Sequence, residues 1–380
     1  MDKATKIGLA ISGGGYRATL YSLGSLWRLN DFGLLPRIKT ITSVSGGSIT
    51  TGYLASKWES LNFDDRGVAG NFKSEIASPL QAFCSQNLDV MAAIRGIFSF
   101  TNSVGDEVAK AYDKNLFHGA KLQDLSDHSP EFLFYGTNYQ TGSSVRIEKS
   151  KLLDYKIGLY PNPDLSMAKV AGISSAFPPV MSPVIVKTNP DLWLEIPTAK
   201  YFNNRKLRKK LILSDGGVYD NLGLEAIWKN SGHYSHVLAC DAGAPFSISP
   251  KVKTNWFSQF LRASSIMTDQ QRALRKRKLL ENYLNLDAEG RHKVYGGTYF
   301  GITTHIGDYD FYDSMCKDTA TTESLQNIRT RLNKFTEREQ AYLINWGYAL
   351  TDTAIRRWSS ELLTDDLNRK GEWPFSKYSL

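Results

Sequence analysis

The first 58 residues constrain the fold most strongly, because they alternate short apolar runs with helical segments. One apolar run covers residues 6–12, and a second, rich in β-branched side chains, covers residues 38–44. Each run leads into a glycine-containing turn and then into a segment with helical periodicity, over 19–29 and over 49–58. This strand-helix-strand-helix order is typical of α/β proteins that contain a parallel sheet.

The turn after the second apolar run carries a serine, Ser45, which is followed by Gly46 and Gly47. A serine between a strand and a helix, with glycine beside it, is the sequence form of a nucleophile elbow. In such an elbow the hydroxyl stands above the sheet edge, and the helix N-terminus favours developing negative charge. The pattern departs from Gly-x-Ser-x-Gly, because Ser43 occupies the first glycine position. Taken alone, it also fits a tight turn capped by a serine.

The turn after the first apolar run is rich in glycine and has two chemical interpretations. Gly13-x-Gly15-x-x-Ala18 fits a dinucleotide fingerprint, but that fingerprint also needs an acid at the end of the second strand, where this chain has none. Alternatively, Gly13, Gly14 and Gly15 form an oxyanion hole, because backbone N–H groups can converge where no Cβ atoms intervene. We favour the oxyanion hole, since Ser45 supplies the nucleophile. A Rossmann-type nucleotide-binding module without hydrolase activity is the alternative.

A third motif, Asp215-Gly216-Gly217, follows the short apolar run over residues 211–214. Asp-Gly is usually only a turn, but open α/β sheets collect their chemistry at the carboxyl ends of their strands. A serine nucleophile needs a base, and none of the six histidines occurs in a recognisable triad context. Because a carboxylate within hydrogen-bond reach can take that role, Asp215 is the candidate base for Ser45.

In this order, the glycine turn, the serine elbow and the Asp-Gly-Gly motif resemble the patatin-like phospholipase family, over about residues 7–230. Residues 136–142 and 174–179 are similar to secondary motifs of that family. The resemblance implies a three-layer α/β fold with a central, mostly parallel sheet. It also implies hydrolysis of fatty-acyl esters in membrane phospholipids, without a cofactor or a metal. The implied site consists of Ser45 as nucleophile, Asp215 as base, Gly13, Gly14, Gly15 and Arg17 in the oxyanion turn, and Ser43, Gly46, Gly47, Gly216 and Gly217 as supporting residues.

The C-terminal part, residues 231–380, is expected to continue the same globule as its last strands and a helical extension packed on the sheet. Residues 62–130 are less regular, with a helical patch over 83–98. The strands of the C-terminal part are predicted over 236–240 and 299–303, and its helices over 257–283, 321–335 and 339–362.

The net charge of +8 favours anionic partners but does not choose among them. Basic residues cluster in two places, and a solvated surface is the plainest interpretation of each cluster. Some bacterial members of the family that carry a helical extension are antiviral effectors switched on by a cyclic nucleotide. The resemblance therefore raises the hypothesis of a nucleotide activator, although a phospholipid surface would suit these side chains equally. The candidate residues are Arg205, Lys206, Arg272, Arg275 and Arg277.

The remaining features concern location and partners. Three widely spaced cysteines fit a reducing cytoplasm, and no apolar run reaches the ~18 residues of a membrane-spanning helix. The N-terminal residues lack the features of a signal peptide. We expect a cytoplasmic protein that contacts the inner membrane peripherally when active. No nucleic-acid partner is expected, and homo-oligomerisation is left open.

Overall fold

A computed structural model describes residues 5–88, 104–128, 130–179 and 181–380. The strands are β1 (Ile7–Ile11), β2 (Ile38–Ser43), β3 (Glu131–Asn138), β4 (Ser143–Ile147), β5 (Lys151–Asp154), β6 (Gly158–Pro161), β7 (Val184–Lys187), β8 (Lys210–Asp215), β9 (His236–Asp241) and β10 (Gly296–Gly301). The α-helices are α1 (Gly15–Asp31), α2 (Gly46–Ser56), α3 (Ser78–Cys84), α4 (Val104–Tyr112), α5 (Met167–Ser174), α6 (Arg205–Lys209), α7 (Gly217–Asp220), α8 (Glu225–Lys229), α9 (Trp256–Leu284), α10 (Ala320–Leu325) and α11 (Glu337–Trp358). Among the described residues, no helix combines the length and the apolar character needed to cross a bilayer.

The ten strands of the described residues form one mixed sheet in the order β10-β9-β1-β2-β3-β4-β5-β6, with β8 on β3 and β7 on β8. The four pairings that join the strands from β10 to β3 are parallel. All pairings of β4 to β8 are antiparallel. All five residues of β1 are buried, as expected for a parallel strand with helices on both faces.

The pairing of β3 explains how distant parts of the chain meet. The first half of β3 pairs with β2, so that Phe134 lies opposite Ser43. Beyond that point β2 has ended and β8 takes its place, with Asp215 opposite Gly136. The end of β8 therefore lies beside the turn that follows β2.

The C-terminal residues complete the same structure. β9 and β10 extend the sheet on the far side of β1, and α11 packs closely on α1. Two glycines allow this approach: a Cβ atom on Gly24 would lie 1.9 Å from the Ile344 carbonyl oxygen, and one on Gly347 would lie 2.1 Å from that of Tyr21. The α/β fold with a C-terminal helical extension on a central sheet is confirmed.

Most predicted elements are present, and two helices differ. The helix predicted over 321–335 ends at Leu325, because the following residues turn back to place carbonyl groups on Arg17. The helical patch predicted over 83–98 begins at the end of α3, which stops at Cys84; most of that patch lies outside the described residues. The apolar runs over 131–135 and 145–147 predict β3 and β4, whereas no local pattern predicts β5, β6 or β7.

Candidate active site

Ser45 occupies the sharp turn between β2 and α2. Its backbone has φ 52° and ψ −122°, a region that non-glycine residues rarely adopt outside functional sites. Gly46 and Gly47 are needed for steric reasons. A Cβ atom on Gly46 would lie 2.1 Å from the Gly15 carbonyl oxygen, and one on Gly47 would lie 2.5 Å from that of Ser12. The chain therefore makes a sharp strand-to-helix turn at Ser45, and its role as a nucleophile elbow stays a prediction.

Ser43, the departure from the glycine pattern, fits this elbow without strain. Its side chain is fully buried, and its hydroxyl lies 3.0 Å from that of Ser48. Ser48 in turn lies 2.8 Å from the hydroxyl of Ser174, which also accepts a hydrogen bond from the Ser45 N–H at 3.0 Å. A small polar side chain at position 43 therefore joins a hydroxyl network that holds the elbow.

Asp215 lies at the end of β8 with its side chain buried. Its Oδ1 atom accepts a 2.6 Å hydrogen bond from the Gly217 N–H. Burial raises the pKa of this carboxyl to about 7, while the Gly217 N–H and the nearby Ser45 hydroxyl act to lower it. Its Oδ2 atom forms no hydrogen bond with any described residue. The Ser45 hydroxyl thus lies near the carboxyl without a fully formed hydrogen bond, as is common in enzymes without substrate.

The glycine turn contains unused backbone donors next to Ser45. The Gly14 N–H makes no hydrogen bond to a described residue. Gly15 and Gly46 are the first residues of α1 and α2, and the first N–H groups of a helix lack intrahelical partners. A Cβ atom on Gly46 would lie 2.8 Å from the Gly15 nitrogen, so these donors are close together. The Gly13 N–H, by contrast, is engaged, because it donates to the Asn221 carbonyl at 3.1 Å.

Arg17 holds the turn in place. Its buried guanidinium donates to the carbonyl oxygens of Gln326 at 2.8 Å, Ile328 at 2.9 Å and Ala242 at 2.9 Å. Because these bonds direct its N–H groups at carbonyls of the C-terminal part, Arg17 ties the glycine turn to that part of the chain. The same segment brings Thr330 close to Gly15. A Cβ atom on Gly15 would lie 1.5 Å from the backbone carbonyl oxygen of Thr330.

Asn221 is a site residue that sequence reasoning missed. A Cβ atom on Gly13 would lie 2.5 Å from the Asn221 Oδ1 atom, and one on Gly217 would lie 2.6 Å from it. The side chain of Asn221 therefore lies between the glycine turn and the loop after Asp215. The one sequence feature that points to Asn221 is its place in the turn that follows the Asp215-Gly216-Gly217 motif, four residues after Gly217.

The basic residues proposed to bind an anion are not gathered at one place. In α6, Arg205 is paired with Asp191, and Lys206 is exposed. In α9, Arg275 is 2.9 Å from Glu225, and Arg272 faces the buried Asp241 at 3.8 Å; Arg277 is exposed. The helix α6 packs on β8, whereas α9 packs on β10 and α7. Within the described part of the chain, no group of three or more metal-ligating side chains is arranged to hold an ion.

The family model of patatin-like phospholipases matches residues 9–228, which include the glycine turn, Ser45 and Asp215. The chain belongs to the patatin-like phospholipase family. The match ends shortly before β9, so this patatin-like chain carries two strands of its sheet and its longest helices beyond the matched region.

Comparisons with individual proteins agree with this membership. A stretch of 43 residues, 11% of the chain, is 51% identical to the putative meiotic phospholipase SPO1 of Saccharomyces cerevisiae and covers 7% of that protein. The structure of human GIVD cytosolic phospholipase A2 is 13% identical, with a TM-score of 0.54 over 93% of this chain and 60% of that one. Its complex with methyl gamma-linolenyl fluorophosphonate gives a TM-score of 0.52, at 13% identity, over 92% and 58%. These structures share the fold, and this chain spans less than two thirds of each of these relatives.

Proposed function

We propose that this patatin-like chain is a serine-dependent lipid acyl hydrolase that cleaves fatty-acyl esters of phospholipids. One observation carries the proposal: Ser45, on a strained elbow, lies beside a buried carboxyl with an unpaired oxygen and beside unused backbone donors of a glycine turn. Family membership supports the substrate class.

The proposed reaction is acyl transfer in two steps. Asp215 accepts the proton of the Ser45 hydroxyl while Oγ bonds to the ester carbonyl carbon. The tetrahedral intermediate then expels the lipid alkoxide, which takes the proton from Asp215 and leaves an acyl-serine. Water attacks this ester and gives its proton to Asp215. When the second intermediate collapses, the proton returns to Ser45 and the fatty acid is released.

The backbone donors supply the electrostatic stabilisation. The N–H groups of Gly14, Gly15 and Gly46 surround the side of the elbow where the oxyanion would develop. In other hydrolases, removing one such donor costs roughly 3–4 kcal/mol of transition-state stabilisation. A carboxyl whose pKa is about 7 is a far better proton acceptor at neutral pH than an ordinary aspartate.

The test is fatty-acid release from vesicles of phosphatidylglycerol and phosphatidylethanolamine. Ser45→Ala and Asp215→Ala should each abolish release, whereas Ser60→Ala and Asp65→Ala, at exposed positions outside the site, should match the unmodified chain. Release that survives both site substitutions would refute the proposal. Absence of release together with intact nucleotide binding by Ser45→Ala would favour the Rossmann-type binding module instead.

Activation by a cyclic nucleotide in bacterial anti-phage defence stays a prediction from the resemblance. Three of the candidate arginines, Arg205, Arg272 and Arg275, already pair with acidic side chains. This leaves Lys206 and Arg277 as the exposed candidates. Fatty-acid release titrated with a panel of cyclic nucleotides tests the idea, and unchanged rates with every nucleotide would reject it. Cytoplasmic location with peripheral contact at the inner membrane also stays a prediction, which fractionation of cells would check.

A further inference from the structure

The longest helix, α9, is exposed along its N-terminal half. Of its 29 residues only Leu279 and Asn282 are buried, and both lie near its C-terminus. Contacts with the sheet begin in its middle, where Arg272 faces Asp241, and continue to Tyr283, whose hydroxyl donates to the Val237 carbonyl at 2.8 Å. None of the residues 256–270 is buried. Roughly four turns of helix therefore extend beyond the packed part.

The helix carries an apolar stripe, defined as Trp256, Phe260, Ala263, Met267 and Leu274, of which the first four members lie in the exposed half. Their spacings of four, three, four and seven residues place them on one helical face. Trp256 is 80% exposed, Phe260 63% and Met267 64%. Ile248, in the loop before the helix, is 91% exposed. A contiguous apolar surface of this kind marks an interaction site on a folded protein.

The apolar stripe projects from the edge of the sheet that carries Ser45. Tyr283 contacts the start of β9 and Arg272 its end, so α9 runs antiparallel to this strand. In the parallel sheet, Cys240 of β9 is level with Ile11 of β1, which is level with Ser43 of β2. The N-terminal half of α9 therefore passes beyond the carboxyl edge of the sheet, on the same side as the serine elbow.

The surroundings of the stripe are basic. Among residues 244–278, the acidic side chain is Asp269 alone, against eight lysines and arginines. Arg272 and Arg275 form ion pairs with the buried side chains of Asp241 and Glu225. Lys251 and Lys253, just before the helix, and Arg277, at its far end, are exposed. The apolar surface is thus bordered by positive charge at both ends.

We propose that the apolar stripe and its flanking cations form a membrane-docking surface that binds bilayers containing anionic phospholipid. Tryptophan and phenylalanine on a helix with lysine and arginine beside them are the features of interfacial helices, whose apolar face lies in the headgroup region. Lysine is depleted at protein–protein interfaces, which argues against a second copy of the chain as the occupant. The choice of a lipid partner rests on the proposed function, because the substrate esters lie in the bilayer.

Docking is tested by binding rather than by hydrolysis, in the full chain carrying Ser45→Ala. Flotation with vesicles of phosphatidylcholine containing phosphatidylglycerol gives the partition coefficient of this parent and of a variant that adds Trp256→Ser and Phe260→Ser. The matched control adds Tyr312→Ser, a 99% exposed aromatic residue outside α9. Circular dichroism melting establishes that each variant is folded.

We expect the double substitution to lower partitioning at least about tenfold, because two aromatic anchors are lost. The Tyr312→Ser control should bind like its parent. Lys251→Gln with Lys253→Gln should weaken binding to the anionic vesicles at low salt and have little effect at high salt, where charge is screened.

Equal partitioning of parent and double variant would overturn the proposal, as would an equal loss in the Tyr312→Ser control. The stripe would belong to an interface with a second copy instead if the parent does not bind vesicles, is a dimer, and becomes monomeric on the double substitution. A chain with Ser45 intact that binds vesicles through the stripe but releases no fatty acid would remove the proposed function and leave the docking surface standing.

Discussion

Asp215→Asn should stabilise this protein while abolishing its proposed activity. The side chain is fully buried, and burial raises the pKa of its carboxyl from 3.8 to about 7, which means that the folded structure disfavours its charge. Asparagine has nearly the same shape, carries no charge, and keeps an oxygen that can accept the hydrogen bond from the Gly217 N–H. The substitution therefore removes the cost of ionisation and leaves the packing unchanged.

The magnitude follows from proton linkage. A shift of about three pKa units corresponds to ~4 kcal/mol between the two protonation states. Below pH 4 both the folded and the unfolded chain hold the proton, and the group contributes no pH dependence. Between pH 4 and pH 7 the folded chain binds more protons, so the free energy of unfolding falls as pH rises. Above pH 7 the full penalty applies. The advantage of Asp215→Asn should therefore grow by ~2–3 kcal/mol from pH 5 to pH 8.

Urea unfolding of both proteins at pH 5 and pH 8 measures this difference. Because all other titrating groups are shared, subtracting one pH dependence from the other isolates Asp215. Asp352→Asn is the matched contrast, since Asp352 is equally buried but accepts a 2.8 Å hydrogen bond from Arg28 and a 3.1 Å one from Arg356. It should destabilise by about 3–5 kcal/mol, because it leaves buried positive charge without its partner. A stability difference for Asp215→Asn that does not change with pH would refute the reasoning.

Three further predictions concern the same region. The value of kcat/KM for acyl release should rise with pH through an inflection near 7, because Asp215 must be ionised to accept a proton; a flat profile between pH 5 and pH 9 would contradict its role. Gly15→Ala should destabilise by more than ~2 kcal/mol in urea unfolding, because φ is +56° and the added Cβ would meet the Thr330 oxygen, whereas Gly142→Ala, with φ +64° and open space, should cost only ~1 kcal/mol. Arg17→Met should cost roughly 3 kcal/mol by the same measurement, because three carbonyl groups lose their donor; an unchanged unfolding midpoint would show that water replaces those bonds.

Local patterns were sufficient to predict the parallel half of the sheet and its turns. The apolar runs of β1, β2 and β9 indicate buried strands. Each run leads into a turn that contains a glycine or an acid, at the carboxyl edge of the sheet where α/β proteins place their functional residues. The strained elbow at Ser45 follows from the same logic, since Gly46 and Gly47 are the residues that a close approach of two turns requires. The long helix α9 was predicted within one residue at each end.

Long-range pairing could not be predicted from the sequence. The position of Asp215 depends on β8 replacing β2 as the neighbour of β3, and no local pattern indicates which strand pairs with which. The residues after Leu325 favour helix by composition, yet tertiary hydrogen bonds to Arg17 override that preference. The role of Asn221 also depends on two turns that meet only in the folded chain.

The three carbonyl ligands of Arg17 have a consequence for biosynthesis. They belong to Ala242, Gln326 and Ile328, so the turn beside Ser45 is held by residues that the ribosome adds more than two hundred positions later. Domains fold as units once their residues are available. A nascent chain that ends just after Asp215 already contains Ser45 but still lacks the carbonyl groups that hold Arg17 and the glycine turn. Synthesis itself thus delays the proposed hydrolase activity until the chain has been made at least as far as Ile328.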